Sequence, residues 1–274
     1  LKMDSGNIGF VLLCAAFVFV MTPGLAMFYG GLVRKKNVVN TMMTSIFIIG
    51  IGIVMWVLFG YSLSFAPSGN AFIGDFRWLG LEGVSLTEGY TDGASIPNMV
   101  FSAFQMMFAV ITPALITGAV AGRMKFKSIF VFTIFWSLIV YYPLAHMVWG
   151  QGGLLGADGI GALDFAGGDV VHISSGVSAL VLCILLGKRH DYEHSIYRIH
   201  NIPTVVLGAS LLMFGWFGFN AGSALAADGL AAHAFMTTGV SAAAAMLSWM
   251  LCDVIKNKKP TLIGASTGMV AGLV

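Results

Sequence analysis

The chain has 274 residues, of which 58% are apolar and 9% are charged, whereas a soluble domain carries about 25% charged residues. Its net charge is +2, and the basic residues form small clusters without a continuous stripe, which argues against a nucleic-acid partner. The composition excludes a soluble enzyme and predicts an all-α polytopic membrane protein with a single membrane domain over residues 1–274.

Seven apolar runs are each long enough to cross a bilayer. In chain order they cover 8–30, 41–64, 98–120, 127–149, 167–187, 202–223 and 233–255. An eighth run begins near Thr261 and is still apolar at Val274, which gives about 21 Å of helix against a hydrocarbon core of about 30 Å. We therefore expect the chain to stop within helix 8 and the natural protein to continue beyond it.

The basic residues predict the orientation of these helices. Twelve of the 14 Lys and Arg residues follow helices 1, 3, 5 and 7, at 34–36, 123–127, 188–198 and 256–259. Only Lys2 and Arg77 fall on the other side. The positive-inside rule places the basic side in the cytoplasm and the N-terminus outside. His190, His194 and His200 belong to the basic inner loop, where we expect them to be solvated.

Two further features describe the packing of the helices. The segment from about 65 to 97 is the longest connection, and we expect it to form an ordered or partly mobile external cap. Small residues four apart are typical of close helix–helix contacts, and they recur at Gly118/Gly122, Gly218/Gly222 and Gly264/Gly268/Gly272.

Motifs for catalysis or metal binding are sparse. The three cysteines, Cys14, Cys183 and Cys252, lie inside apolar runs without CxxC spacing, which argues against a disulfide framework and against a zinc site. The sequence shows no nucleophile–base pair, and GGLLGADGIG is a weak glycine-rich match on the predicted outer side. We expect neither a metal nor a cofactor, and no enzymatic activity.

Histidines inside the membrane are costly, which makes them candidates for function. His172, in GGDVVHISSG, lies about two turns into helix 5 among apolar neighbours. It is either a core histidine with its hydrogen bonds satisfied or a neutral imidazole that lines a narrow pore. His146 lies near the outer end of helix 4, and for it we favour a structural role.

Aromatic residues recur at helical spacing near the outer ends of three helices. Trp216, Phe219 and Ser223 share one face of helix 6, Phe104 and Phe108 share one face of helix 3, and Trp149 ends helix 4. Such stripes usually serve packing, and a terminal Trp is usually an interface anchor. Aromatic faces beside a hydroxyl also suit a small cation, which cation–π attraction stabilises by about 0.5–2 kcal/mol.

The chain resembles the ammonium transporter (Amt/methylammonium permease) family, which is related to the Rhesus proteins. The strings that carry the resemblance run from helix 1 to helix 8: PGLAMFYGGLVRKKN (23–37), AFQMMFA (103–109), AHMVWG (145–150), GALDFAGGDVVHISSG (161–176), GKRH (187–190), GWFGFNAGSA (215–224) and IGASTGMVAGLV at the end. The pairing of Trp149 with Ser223 looks like the Amt branch, since Rhesus-type proteins generally lack it.

The resemblance implies the fold and the assembly. The family has eleven membrane helices, of which about eight are present here, with the N-terminus outside and two inverted five-helix repeats around a pore. Residues 1–200 would form the first repeat with its cytoplasmic loop, and 201–274 an incomplete second one. The resemblance also implies a homotrimer in the plasma membrane or the bacterial or archaeal inner membrane, and a possible cytoplasmic PII-type regulator.

The resemblance implies roles for the residues singled out above. Trp149 and Ser223 would form an outer ammonium recruitment site with Phe104 and Trp216 nearby, and Phe108 and Phe219 would form the gate beneath it. His172 would be the first of two pore histidines; the second belongs to helix 10, which this chain lacks. Asp164 would be the buried acidic residue near the site, although a helix N-cap explains it equally well.

The resemblance therefore implies an ammonium/ammonia transport channel, with methylammonium as an analogue of the substrate. Ammonium would be recruited at the outer cation–π site and deprotonated near the two phenyl rings, and ammonia would pass along a hydrophobic pore lined by histidine. The alternative is an ammonium sensor, in which the same membrane module is fused to a cytoplasmic signalling domain.

Overall fold

The computed structural model describes residues 3–157, 159–189, 192 and 198–274. The expectations for Lys2, His190 and His194 lie outside these residues. The described residues form eight apolar helices and no strand, as expected for an all-α membrane protein. The first seven are long enough to cross a membrane. In chain order the eight are α1 Ser5–Leu32, α2 Lys35–Phe65, α3 Asn98–Val120, α4 Phe126–Trp149, α5 Gly168–Leu186, α6 Ile202–Gly222, α7 Gly229–Asn257 and α8 Leu262–Leu273.

Four of the eight described helices begin at a polar residue whose side chain caps them. Asp4, Asn201, Asp228 and Thr261 each precede a helix and accept a hydrogen bond from a backbone N–H three residues further on, at 2.8–3.0 Å. Such caps satisfy donors at a helix N-terminus that have no partner within the helix. The boundaries agree closely with the apolar runs. The largest difference is at α2, which is predicted from residue 41 but begins at Lys35 with a 3₁₀ turn.

Three of the helices contain a π-helical segment. These segments are Trp56–Gly60 in α2, Ser137–Tyr141 in α4 and Gly168–Ile173 at the start of α5. A π turn shifts every following side chain around the helix axis, and it occurs frequently at functional sites. The segment in α5 contains His172.

Close contact between α1 and α6 forms the centre of the bundle, because glycines allow the two backbones to meet. A Cβ atom added at Gly208 of α6 would lie 2.3 Å from the backbone nitrogen of Phe28, and one at Gly31 of α1 would lie 2.6 Å from Cγ2 of Val205. Gly218 and Gly222 pack against Cys14 in the same way. The predicted packing role is confirmed for Gly218 and Gly222, whereas Gly122 lies beyond the end of α3 with a φ of +72°. Helix α3 lies against α1, α2 and α5 beside the α1–α6 pair.

The outer connection between α2 and α3 is tied to the helix ends. The two ring nitrogens of His146 lie 3.1 and 2.8 Å from the carbonyl oxygens of Ser64 and Asn70, and this imidazole is fully buried. The ring of Trp78 stacks on Tyr61, 5.4 Å between centroids. His146 therefore has the structural role expected for it, and these contacts hold the external segment over the helix ends as a cap.

The opposite end of the bundle is basic. A cavity of about 400 Å³ there is lined by five cationic side chains, which belong to Arg34, Lys36, Arg123, Lys188 and Arg189. Beside it a cavity of about 850 Å³ lies among the ends of α1, α3 and α5. This concentration of positive charge at one end is what the positive-inside rule requires of the cytoplasmic face.

Candidate functional site

A cavity of about 250 Å³ opens at the outer end of the bundle. Helix α3 contributes one face to it, with Phe101, Phe104, Gln105 and Phe108 at positions i, i+3, i+4 and i+7. The other helices contribute Trp149 from the end of α4, Asp164 from the segment before α5, and Ser223 directly after α6. The structure thus brings Phe101 of α3 and Ser223 together although they lie 122 positions apart in the sequence.

Aromatic rings form the floor and one wall of this cavity. The centroid of Phe108 lies 4.8 Å from that of Phe104, 6.0 Å from that of Trp149 and 4.4 Å from that of Phe219. The indole Nε1 of Trp149 donates a hydrogen bond to the carbonyl oxygen of Asp164, at 3.0 Å, which fixes the orientation of its ring. The cavity therefore presents π faces of the kind that attract a small cation.

The hydroxyl of Ser223 is oriented by its own helix. Oγ donates a hydrogen bond to the carbonyl oxygen of Phe219, at 2.8 Å. Because its proton is used in this bond, the oxygen keeps its lone pairs for a donor in the cavity. A hydroxyl held in this way suits a ligand that carries N–H groups.

Asp164 caps the start of α5 with both carboxylate oxygens. Oδ1 accepts hydrogen bonds from the backbone N–H groups of Gly167 and Gly168, at 2.5 and 2.9 Å. Oδ2 accepts from those of Asp169 and Val170, at 2.8 and 3.0 Å. Four backbone donors at the start of α5 thus surround the carboxylate. Asp164 lies three residues before the N-cap position, Gly167, yet it satisfies N–H groups that have no partner within the helix.

His172 lies beneath the aromatic rings and does not line the cavity. Its imidazole stacks against Trp216, 5.4 Å between centroids, and against Phe219, 5.8 Å between centroids. Phe219 therefore contacts both Phe108, which lines the cavity, and His172, which lies deeper. Trp216 also belongs to this deeper group, and the structure does not place it among the residues that line the outer cavity.

Six residues that line the cavity are absent from the set predicted from the sequence, namely Tyr90, Thr91, Phe101, Gln105, Phe165 and Leu225. Gln105 belongs to the string AFQMMFA. The sequence signal that could have identified it as a cavity residue is its helical register with Phe101 and Phe108. Tyr90, from the outer connection, stacks on Phe101 with centroids 4.7 Å apart. Burial raises the pKa of Tyr90 to about 12, so its hydroxyl is uncharged at neutral pH. In the part of the chain that the structure describes, no cluster of His, Cys, Asp and Glu suits a metal ion.

The eight apolar helices of the described residues, with an aromatic cavity at their outer end, define a multi-pass membrane protein. Residues 9–274 match the model of the Ammonium Transporter Family. The chain belongs to this family, and the relatives described below support the Amt type.

Comparisons with individual proteins agree with this assignment. An ammonium transporter from Bacillus subtilis (strain 168) is 53% identical over 273 residues, which cover 99% of this chain and 66% of the relative. The crystal structure of Mep2 from Candida albicans is similar with a TM-score of 0.90 at 33% identity, over 99% of this chain and 60% of that chain. A structure described as a sensor Amt protein is similar with a TM-score of 0.82 at 27% identity, over 98% of this chain and 72% of that chain. The chain therefore spans about two thirds of the Bacillus relative and less of the Candida protein.

Proposed function

We propose that this protein transports ammonium, as ammonium or ammonia, across the cell membrane. The observation that carries the proposal is the stack formed by the outer cavity, the Phe108–Phe219 pair and His172, which follow one another through ring contacts of 4.4 and 5.8 Å. Membership of the Ammonium Transporter Family and the similarity to Candida Mep2 support it.

The outer cavity would recruit the cation. Moving a bare cation into hydrocarbon costs several kcal/mol at the least. The π faces of Phe108 and Trp149 offset part of this cost, and the lone pairs of Ser223 accept an N–H hydrogen bond. A potassium ion of similar size has no N–H group, so the cavity would favour ammonium and methylammonium over potassium.

The region beneath the cavity would select a neutral species. Phe108 and Phe219 are each 1% exposed and close the floor of the cavity with apolar rings. We infer that ammonium loses a proton near this gate, since an apolar lining favours ammonia over its cation, and that the proton either returns to the outer solvent or crosses separately from ammonia. The imidazole of His172 lies next to Phe219, where it would exchange a hydrogen bond with ammonia as a pore-lining relay.

A second candidate function is the sensing of ammonium. The similarity to a structure described as a sensor Amt protein covers 98% of this chain, so the membrane module alone is compatible with either function. The two differ in one observable property, because a transporter produces flux whereas a sensor requires only saturable binding.

The family resemblance extends the proposal to the assembly. We propose a homotrimer in which each subunit has its own pore, with 1–200 and 201–274 belonging to two inverted repeats. We also propose that a PII-type regulator docks on the cytoplasmic face. The five cationic side chains around the inner cavity are compatible with such a partner, although any basic inner face would be.

Uptake of labelled methylammonium by cells without their own ammonium transporters tests the function. We expect uptake with the full-length protein. For Ser223→Ala we expect the half-saturating concentration to rise about tenfold or more, because a hydrogen bond to a charged donor contributes about 1.5–3 kcal/mol. The matched control is Ser210→Ala on the same helix, since Ser210 donates to the carbonyl of Val206, at 2.9 Å, and faces outward. Saturable binding without uptake would contradict transport and favour sensing.

A further inference from the structure

Gln105 is a polar side chain on the aromatic face of α3. It lies one turn from Phe101 and one turn from Phe108, and all three line the outer cavity. The residue is 8% exposed. An amide in such surroundings is costly unless its polar atoms find partners, so its position requires an explanation.

The carbonyl oxygen of this amide is buried without a partner. Among the residues that the structure describes, none donates a hydrogen bond to Gln105 Oε1, although the atom is shielded from solvent. The other acceptors that line the cavity are already engaged in part. The Asp164 carboxylate accepts four backbone N–H groups, and Ser223 uses its proton on Phe219. Gln105 therefore provides an acceptor whose capacity is unused.

We propose that Gln105 is a substrate-binding residue. Its amide rotates about the terminal side-chain torsion, which turns Oε1, shielded from solvent in this structure, toward the outer cavity, and there Oε1 accepts a hydrogen bond from an N–H group of ammonium or methylammonium. The inference rests on the proposed function and adds a second oxygen to the site beside that of Ser223. Ammonium carries four N–H donors, and π faces satisfy its charge without accepting all of them. Two oxygens within a cavity of about 250 Å³ would give the aromatic site directional contacts that favour a ligand with N–H groups.

Two substitutions separate this role from a structural one. Gln105→Leu removes the acceptor and keeps an apolar side chain of similar size, whereas Gln105→Glu keeps an acceptor oxygen and adds negative charge. If Gln105 served packing alone, Leu would be tolerated and Glu would be harmful, since burying a carboxylate is expensive. Substrate binding predicts the reverse order.

The test measures the half-saturating ammonium concentration of transport by the full-length protein in proteoliposomes, and the shift in thermal stability that ammonium chloride produces relative to potassium chloride. We expect Gln105→Leu to raise the half-saturating concentration about tenfold or more and to lose most of the ammonium-specific stabilisation. Gln105→Glu should stay within about threefold of the wild type. The control is Met106→Leu, one residue along the helix and outside the cavity lining.

Three results would overturn the inference, and they are distinguishable. Wild-type protein without any ammonium-specific signal would refute the proposed function itself. A normal wild-type signal that Gln105→Leu leaves unchanged would refute only the role of Gln105. Loss of affinity in Gln105→Glu equal to that in Gln105→Leu would also refute it, because the acceptor oxygen would not have restored binding. If Gln105→Leu fails to fold, Gln105→Asn serves as the second variant. It keeps the amide but shortens the side chain by one methylene, so it should give an intermediate loss of ammonium affinity.

Discussion

At the scale of single residues, the hydrogen bonds of Asp164 restrict what its carboxylate can do. Its carboxylate lies at the wall of the outer cavity, yet both oxygens are held by the backbone of 167–170. The negative charge therefore stabilises the N-terminus of α5, where the helix dipole is positive. By fixing this N-terminus, Asp164 also positions His172, which lies four residues after the first residue of α5.

Replacing Asp164 tests this capping role. We expect Asp164→Ala to lower the free energy of unfolding by about 1–3 kcal/mol, because four backbone N–H groups lose their acceptors. Asp164→Asn keeps one oxygen and should lose less. Thermal unfolding of the purified protein in detergent measures both changes. Unfolding temperatures equal to that of the wild type would contradict the capping role and leave only an electrostatic one.

At the scale of the helices, contact between α1 and α6 depends on the absence of side chains. Gly24 and Gly31 of α1 and Gly208, Gly215 and Gly218 of α6 each lie so close to the other helix that a Cβ atom would overlap it. In a bilayer this close approach is a main source of helix association, because lipid tails are as apolar as the side chains themselves. Phe219 lies at the outer end of α6 and Ser223 follows this helix directly, so the same contact positions both residues.

A pair of glycine substitutions measures this dependence. We expect Gly208→Ala to destabilise the protein by about 1–3 kcal/mol, since the new methyl group would meet the Phe28 backbone. Gly50→Ala in α2 is the control, because a Cβ atom there meets nothing within 4 Å. Alanine is the better helix former by about 1 kcal/mol, so this variant should be neutral or more stable. Thermal unfolding compares the two, and equal effects would contradict the packing argument.

At the scale of the whole molecule, the bilayer makes much of the fold predictable. A span must be long and apolar, so the seven runs identify α1 to α7 within a few residues, and the position of the charges indicates the inner face. The π turns are not visible in the same way, since one additional residue in a helix leaves its hydropathy unchanged. They alter the direction of His172 and of every side chain that follows it.

The outer site was predictable in part for a related reason. Phe104, Phe108, Trp149 and Ser223 stand out through spacing and through the family resemblance, and the structure places all four around one cavity. The position of Trp216, stacked on His172, depends on how α5 packs beside α6, which no local pattern encodes. Gln105 does not stand out in the sequence, because a single amide in an apolar helix becomes informative only when its surroundings are known.

The measurement that tests the account most directly is the current and internal pH change of proteoliposomes after a jump in external ammonium. The full-length protein should give a saturable signal with ammonium and none with an equal jump in potassium. His172→Ala should abolish that signal or separate the current from the pH change, because the pore would lose its relay. An ammonium signal with unchanged selectivity and unchanged charge movement in His172→Ala would contradict the role of the imidazole, and no signal in the wild type would contradict transport.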